Sequence, residues 1–309
     1  MSSDTTAGSC RAIGIEVGTT ECTAVCISAE GSIIATERLG ISDPTESIND
    51  LISFSRELRQ RFASTASIGI AIPGLIRKET GRVDYSARIP SHAGIDIAGR
   101  IKAETGSEVI LENDANAAAF AEYKLGAGRG SKHMFFATVG KGVGGAFIID
   151  GRVWHGAAGF AGEFGYVAVN SDGLRLEEVA SADNIVRRTR ARFHQDNTSS
   201  LNKLDEQAIT IEDILNASLA DDDFARLMLE RTGNYIGTAV ASVINLLNIE
   251  TIVIGGPTMQ AGNVLLNAIV RSARELSFAP SFESTLILAG ELGDSAAACG
   301  AALLASEKI

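Results

Sequence analysis

VILENDANAAAFAEY, from Val109 to Tyr123, begins as an apolar strand and ends as an alanine-rich helix. Between the two stand Glu112, Asn113, Asp114 and Asn116. A single Asp or Asn is enough to cap a helix, and Asp114 taken alone reads as that cap. Glu112, Asn113 and Asn116 exceed what capping needs, and burying them without partners is costly. In α/β sheets, polar groups at the carboxyl end of a strand face a ligand crevice.

Outward from this junction the chain alternates strands and helices. AIGIEVGTTECTAVCISAEGSIIATERL reads as strand, glycine turn, strand, tight turn, strand, rich in β-branched and apolar residues. A helix is expected from about Pro44 to Phe62, with Ile48, Leu51, Ile52, Leu58 and Phe62 on one stripe. SIGIAIPG reads as a buried strand, and Ile95 to Gly106 as a helix stopped by glycine. At Met134 the pattern restarts: MFFATVGKGVGGAFIIDGRVW repeats strand, glycine turn, strand, tight turn, strand. Helices over about Leu176–Arg192 and Phe224–Leu247 follow, then the strand TIVIGGPTM, a helix, TLILAGELG and the last helix SAAACGAALLAS. HQDNTSSLNKLDEQ is expected to be a surface loop. Two similar halves of this kind predict two α/β domains around a cleft. The boundaries expected are 1–116 and 117–293, with the last helix, 294–309, packing back on the first domain.

Composition narrows the class. The 309 residues are 45% hydrophobic and 21% charged, ordinary for a globular enzyme. The formal charge of −11 and the lack of a basic stripe argue against nucleic acid as a partner; RRTRAR (187–192) reads as a solvated helix face. MSSDTTAGSC has no basic start and no apolar run, and no stretch of about 18 apolar residues suggests a membrane span. A cytoplasmic protein without a membrane partner is expected. Cys22 and Cys26, four apart on a strand, share a face and read as two buried thiols. The four histidines are scattered, without metal-ligand spacing.

Three glycine turns each follow a strand, at Gly18, at Gly140-Gly142-Gly144-Gly145 and at Gly255-Gly256. Glycine lets backbone N–H groups approach an anion, although a plain turn also needs it. Their matching places in two halves point to a bound nucleotide. The pattern is neither a P-loop nor a dinucleotide fingerprint.

ENDANAAAFAEYKLGAG (112–128) resembles the signature E-N-D-A-N-x-A-A-x-x-E-x-x-x-G-A-G of the ROK family (repressor, open reading frame, kinase). The resemblance continues through IGIAIPGLIRKETGRV, ATVGKGVGGAFIIDGRVWHGAAGFAGEFGY, IVIGGPTMQAGNVLLNAI and ELGDSAAACGAALLA, covering about residues 11–306. It implies an actin-like ATPase fold of two ribonuclease-H-like domains. It also implies phosphorylation of a hexose or N-acetylhexosamine from ATP with Mg2+, with a glucose-like sugar leading. By position Asp114 is the base toward the sugar hydroxyl. Asn113, Glu163, Glu177 and Gly74 are substrate-binding. Gly18, Thr19, Thr20, Gly140, Lys141 and Gly142 face the phosphates, Gly255 and Gly256 the adenosine, and Glu16 the magnesium. A homodimer is expected from the family alone. Phosphoryl transfer suits such a site, since it needs positioning, charge neutralisation and one carboxylate to take a proton.

The chain departs from the family pattern in places. Glu16 stands where the first phosphate turn usually has Asp, Thr19 replaces a glycine, and Glu21 puts negative charge where Lys or Asn is common. Lys141 stands where Thr is usual and restores a positive charge. Tyr166 replaces the histidine of the family's zinc site, and VNSDGLRLEEVAS contains no cysteine, so no structural zinc is expected, with the Tyr166 ring as candidate brace. Only about ten residues precede the first strand, too few for the repressors' helix-turn-helix domain. Polyphosphate is an alternative donor. The alternative function is a weakly active or inactive sugar-binding protein with a regulatory role.

Overall fold

The structure, a computed structural model, describes residues 10–43, 47–62, 67–77 and 79–307. Pro44, where the first helix was expected to start, lies outside them. The chain divides into two compact units. The first runs to Arg129 and includes 152–161 and Asp294 onward; the second comprises Gly130–Gly151 and Gly162–Gly293.

The first sheet contains β1 (Ala12–Val17), β2 (Glu21–Ile27), β3 (Ile33–Gly40), β4 (Ser67–Ile72) and, after a small hairpin of β5 (Leu75–Arg77) and β6 (Arg82–Tyr85), β7 (Val109–Asn113). Its order is β3-β2-β1-β4-β7. β2 is antiparallel to β1 and β3, whereas β4 runs parallel to β1 and β7. Ile13, Ile15, Ile68 and Ile70 are fully buried, as expected of a sheet covered on both faces. Helices α1 (Ser47–Phe62), α2 (Ile97–Thr105) and α3 (Asp114–Leu125) complete this part. α2 starts on Asp96, whose side chain accepts from the Gly99 N–H, and stops at Gly106 in the left-handed conformation.

The second sheet contains β8 (Met134–Val139), β9 (Val143–Ile149), β10 (Arg152–Val153), β11 (Thr251–Gly255) and β12 (Leu286–Ala289), in the order β10-β9-β8-β11-β12. This repeats the first sheet strand for strand, so the internal repeat read from the sequence is a repeat of topology. The second unit's helices are α4 (Glu177–Ala180), α5 (Ala182–Arg190), α6 (Ile211–Leu219), α7 (Asp223–Leu247), α8 (Asn263–Leu276) and α9 (Ala279–Glu283). The single helix expected over 176–192 is broken at Ser181, which is extended (φ −66°, ψ 153°). The expected loop at 194–207 is folded into short 3-10 turns, Phe193–Gln195, Ser200–Lys203 and Glu206–Ala208.

The last helix, α10 (Ala296–Ser306), packs on β1, β4 and α3. Its small residues are the reason it can. A Cβ on Gly69 of β4 would stand 1.9 Å from the Ala301 carbonyl oxygen, and one on Gly300 1.7 Å from that of Ala117. Because α3 is wedged against α10, it stays with the first unit. The boundary expected at 116/117 therefore falls at 129/130, and 152–161 joins the first unit as well.

Cysteine usage also differs from expectation. Cys22 is a buried thiol, but Cys26 is bonded to Cys10. The antiparallel register sets Ile13, not Cys10, opposite Cys26, and the Cα atoms of the bonded pair lie 5.8 Å apart. No helix among the described residues is long and apolar enough to cross a membrane.

Candidate active site

The site on the first unit is built where β7 runs into α3. The helix cap is Asn113, not Asp114: its extended backbone (φ −64°, ψ 144°) lets Oδ1 accept from the Asn116 N–H at 3.1 Å. Asn113 Nδ2 donates to the Gly74 carbonyl at 3.0 Å and to Asp114 Oδ1 at 3.1 Å. Gly74 adopts φ +149°, and a Cβ there would meet the Tyr85 carbonyl oxygen at 2.7 Å, so this contact requires glycine. Glu112 is buried, and its Oε1 accepts from the Asn113 N–H and from Asn116 Nδ2, both at 2.9 Å. Its Oε2 lies 2.8 Å from His155 Nε2.

The four polar side chains thus divide their work. Glu112, Asn113 and Asn116 bond one another and the backbone. Asp114 is held at one oxygen: Oδ1 accepts from the Ala115 N–H at 2.9 Å and from Asn113. Neither bond falls on Oδ2. Burial raises the Asp114 pKa, opposed by Arg88, by the N–H groups and by Asn113.

Glu16, near the end of β1, faces the same region. Its pKa is pushed up to about 7, first by burial and then by the carboxylates of Asp114, Asp294 and Glu21, with Arg88 opposing. Asp294 was not picked out from the sequence, and Arg88 only as the first residue of a stretch, Arg88 to Gly94, expected near the pocket with no role given to any one residue. Arg88 lies in RIPSHAG, whose pattern has no period, and Asp294 lies in the quoted ELGDSAAACG, just ahead of α10. Glu21 pairs with Arg38 across the strands at 2.8 Å. This exposed ion pair is worth little in stability but sets a cation against the carboxylate.

Magnesium prefers oxygen donors, commonly one or two carboxylates completed by substrate phosphates and water. Glu16 fits that role, since a carboxyl crowded by other carboxylates is relieved by a divalent cation. Among the described residues no three acidic, histidine or cysteine side chains are gathered closely enough to hold an ion by themselves. Gly162–Ala180 contains neither cysteine nor histidine, the usual ligands of a structural zinc site.

The first glycine turn is closed by the Gly18 N–H donating to the Glu21 carbonyl at 2.9 Å. Thr19 and Thr20 form its tip, and the Thr20 carbonyl accepts from the Ile41 N–H.

The second unit carries the remaining sequence-predicted residues. Its glycine turn is closed by the Gly140 N–H donating to the Gly142 carbonyl at 2.9 Å, with Lys141 exposed at its tip. α4 and α5 hold this turn from behind. Glu177 Oε2 accepts from the Val143 N–H at 2.9 Å, and the Ala182 N–H donates to the Gly140 carbonyl at 2.7 Å. Glu163 is exposed and begins the 3-10 turn Phe164–Tyr166, whose Phe164 ring packs edge-on to Phe135. Gly256 (φ +91°) follows β11, and a Cβ there would meet the Val139 carbonyl oxygen at 2.5 Å. Tyr166 is 58% exposed, and the Arg175 guanidinium stacks on its ring at 4.5 Å. A turn tied by Val169 N–H to Leu174 O and Leu176 N–H to Val167 O carries Arg175 there. The Tyr166 ring is thus held by the turn through its guanidinium–ring stack.

The ROK family model matches residues 12–308. The chain belongs to the ROK family. A glucokinase of Thermotoga maritima is 29% identical over 97% of this chain and 98% of its own. The ROK glucokinase of Streptomyces griseus, solved with glucose and AMPPNP, superposes with a TM-score of 0.85 at 26% identity, over 96% of this chain and 99% of that one. A ROK transcriptional regulator, a homologue of the E. coli MLC protein, superposes with a TM-score of 0.82 at 27% identity, over 95% of this chain and 77% of that one. The fold is that of the ROK glucokinases, the actin-like ATPase fold, with a five-stranded sheet repeated. ROK chains thus include both kinases and a regulator, and fold alone does not choose between them.

Proposed function

We propose that this ROK protein is a sugar kinase that transfers the γ-phosphoryl group of ATP to a hydroxyl of a hexose, glucose-like, or of an N-acetylhexosamine. The observation that carries the reading is Asp114, fixed through Oδ1 with Oδ2 outside those bonds, and with its pKa raised by burial. A carboxylate in that state is a stronger base than an exposed aspartate. Asp114 takes the hydroxyl proton as the sugar oxygen bonds to phosphorus. The bond between the γ-phosphorus and its bridging oxygen breaks, and ADP leaves with that electron pair. Magnesium supplies charge neutralisation at the phosphates when bound, with Glu16 as its protein ligand. Asn113 and Gly74 orient the sugar, and Glu163 and Glu177 accept from its other hydroxyls. Gly18, Thr19, Thr20, Gly140, Lys141 and Gly142 serve the phosphates, and Gly255 and Gly256 the adenosine. The likeness to the Streptomyces griseus glucokinase supports this assignment.

The second reading is a sugar-binding regulator without useful catalysis. The likeness to the MLC homologue favours it, as does Glu16, which near neutral pH is partly protonated. ADP release with Mg-ATP across a panel of hexoses and N-acetylhexosamines separates the two. Sugar-dependent release supports the kinase. Sugar binding without Mg-ATP binding supports the regulator.

A further inference from the structure

We propose that His155 is a positioning residue for Asp114, acting through Glu112; its catalytic consequence rests on the kinase reading. His155 belongs to the stretch 152–161, which is part of the first unit although the flanking chain on both sides belongs to the second. Its carbonyl accepts from the Ala161 N–H at 3.1 Å, which closes that stretch into a loop. Its Nε2 meets Glu112 Oε2 at 2.8 Å. A carboxylate only accepts, so the imidazole donates there.

Glu112 is 9% exposed and is held at both oxygens. Oε2 is the histidine's; Oε1 takes the Asn113 N–H and Asn116 Nδ2. Asn113 in turn caps α3 through the Asn116 N–H and donates Nδ2 to Asp114 Oδ1. The bonds form one chain from His155 through Glu112 and the Asn113–Asn116 pair to the carboxylate of Asp114. Without the imidazole, a buried carboxylate oxygen loses its donor. Glu112 then turns toward solvent or another donor, and the β7–α3 junction loses the acceptor that holds the Asn113 N–H and the Asn116 side-chain amide. A small displacement of a base costs catalysis far more than it costs stability.

The test compares wild type, His155→Ala and His155→Gln as full-length chains. Glutamine Nε2 reaches about as far as the imidazole Nε2 and donates to Glu112. Hydrogen exchange is followed over the peptide 109–123, and kcat and sugar KM are measured on the best sugar of the panel. Faster exchange in 109–123 is expected for His155→Ala and wild-type exchange for His155→Gln. A fall in kcat of about 10²-fold, with sugar KM within a few-fold, is expected for His155→Ala, restored by glutamine. Unchanged exchange in 109–123, or wild-type kcat in His155→Ala, overturns the inference. If His155→Ala does not fold, Glu112→Gln replaces it, with the same expected exchange and the same overturning result. If the wild type turns over no sugar, the kinase reading fails, and the exchange comparison alone decides whether His155 positions the junction.

Discussion

Asn113, the last residue of β7, donates Nδ2 to the carbonyl of Gly74, thirty-nine residues earlier in the chain, at 3.0 Å. The same side chain caps α3. One residue thus joins the loop after β4 to the helix that bears Asp114. Asn113→Ala should lower unfolding stability by about 1–2 kcal/mol, cap and tether together. Asn113→Ser, which keeps a cap but loses the long donor, should cost less. Urea unfolding of the two variants checks the order, and equal losses would leave the cap without energetic weight.

Glu16 makes stability depend on pH. Its pKa rises from 4.5 to about 7 in the folded chain, so over that interval the folded state holds a proton that the unfolded chain has released. Stability is therefore lost as pH rises through this window, and the penalty is complete above about 7. Glu16→Gln should be more stable than wild type at pH 8 by up to about 3 kcal/mol, and no more stable at pH 4. Denaturant unfolding at the two pH values checks it; a difference independent of pH would remove the burial argument.

Gly300 sits inside a helix, where alanine normally stabilises by about 1 kcal/mol. Here the added Cβ would lie 1.7 Å from the Ala117 carbonyl oxygen, and α3 would have to move. Gly300→Ala should instead destabilise by more than about 2 kcal/mol. A rise in thermal midpoint would show that α10 and α3 do not meet as closely as described.

Lys141, at the tip of the second glycine turn, is assigned to the nucleotide phosphates. Lys141→Ala should weaken Mg-ATP binding by about fivefold, the worth of one partly exposed charge contact, and the effect should shrink as salt is raised. Calorimetry on the two proteins measures this. An unchanged Kd would free Lys141 from that role.

Much of the fold was legible because its signals are local. Strand, glycine turn and strand recur at β1–β2 and β8–β9, and the apolar run before the alanines announces β7–α3. The break at Ser181 was not legible, since VASADN contains neither glycine nor proline to mark it. α6 carries a capping box, Thr210 with Asp213, that a search for such pairs would have found. In the site, Asp114 was legible from its motif, but the division of labour around it was not. Asn113 rather than Asp114 caps the helix, and Glu112 links the cap to His155. Arg88, His155 and Asp294 arrive from three separate loops or helix ends, and periodicity carries no information on where such segments come to rest. The Cys10–Cys26 bond joins residues that the β1–β2 register does not set opposite each other, so neither spacing nor strand pairing announces it.

The central claim is that Asp114 takes the proton of the acceptor hydroxyl. Sugar-dependent ADP release and sugar affinity, measured side by side on wild type and Asp114→Asn, test it most directly. The account predicts turnover by the wild type, a loss of at least about 10²-fold in the variant, and sugar affinities within a few-fold of each other. Full turnover by Asp114→Asn would contradict it.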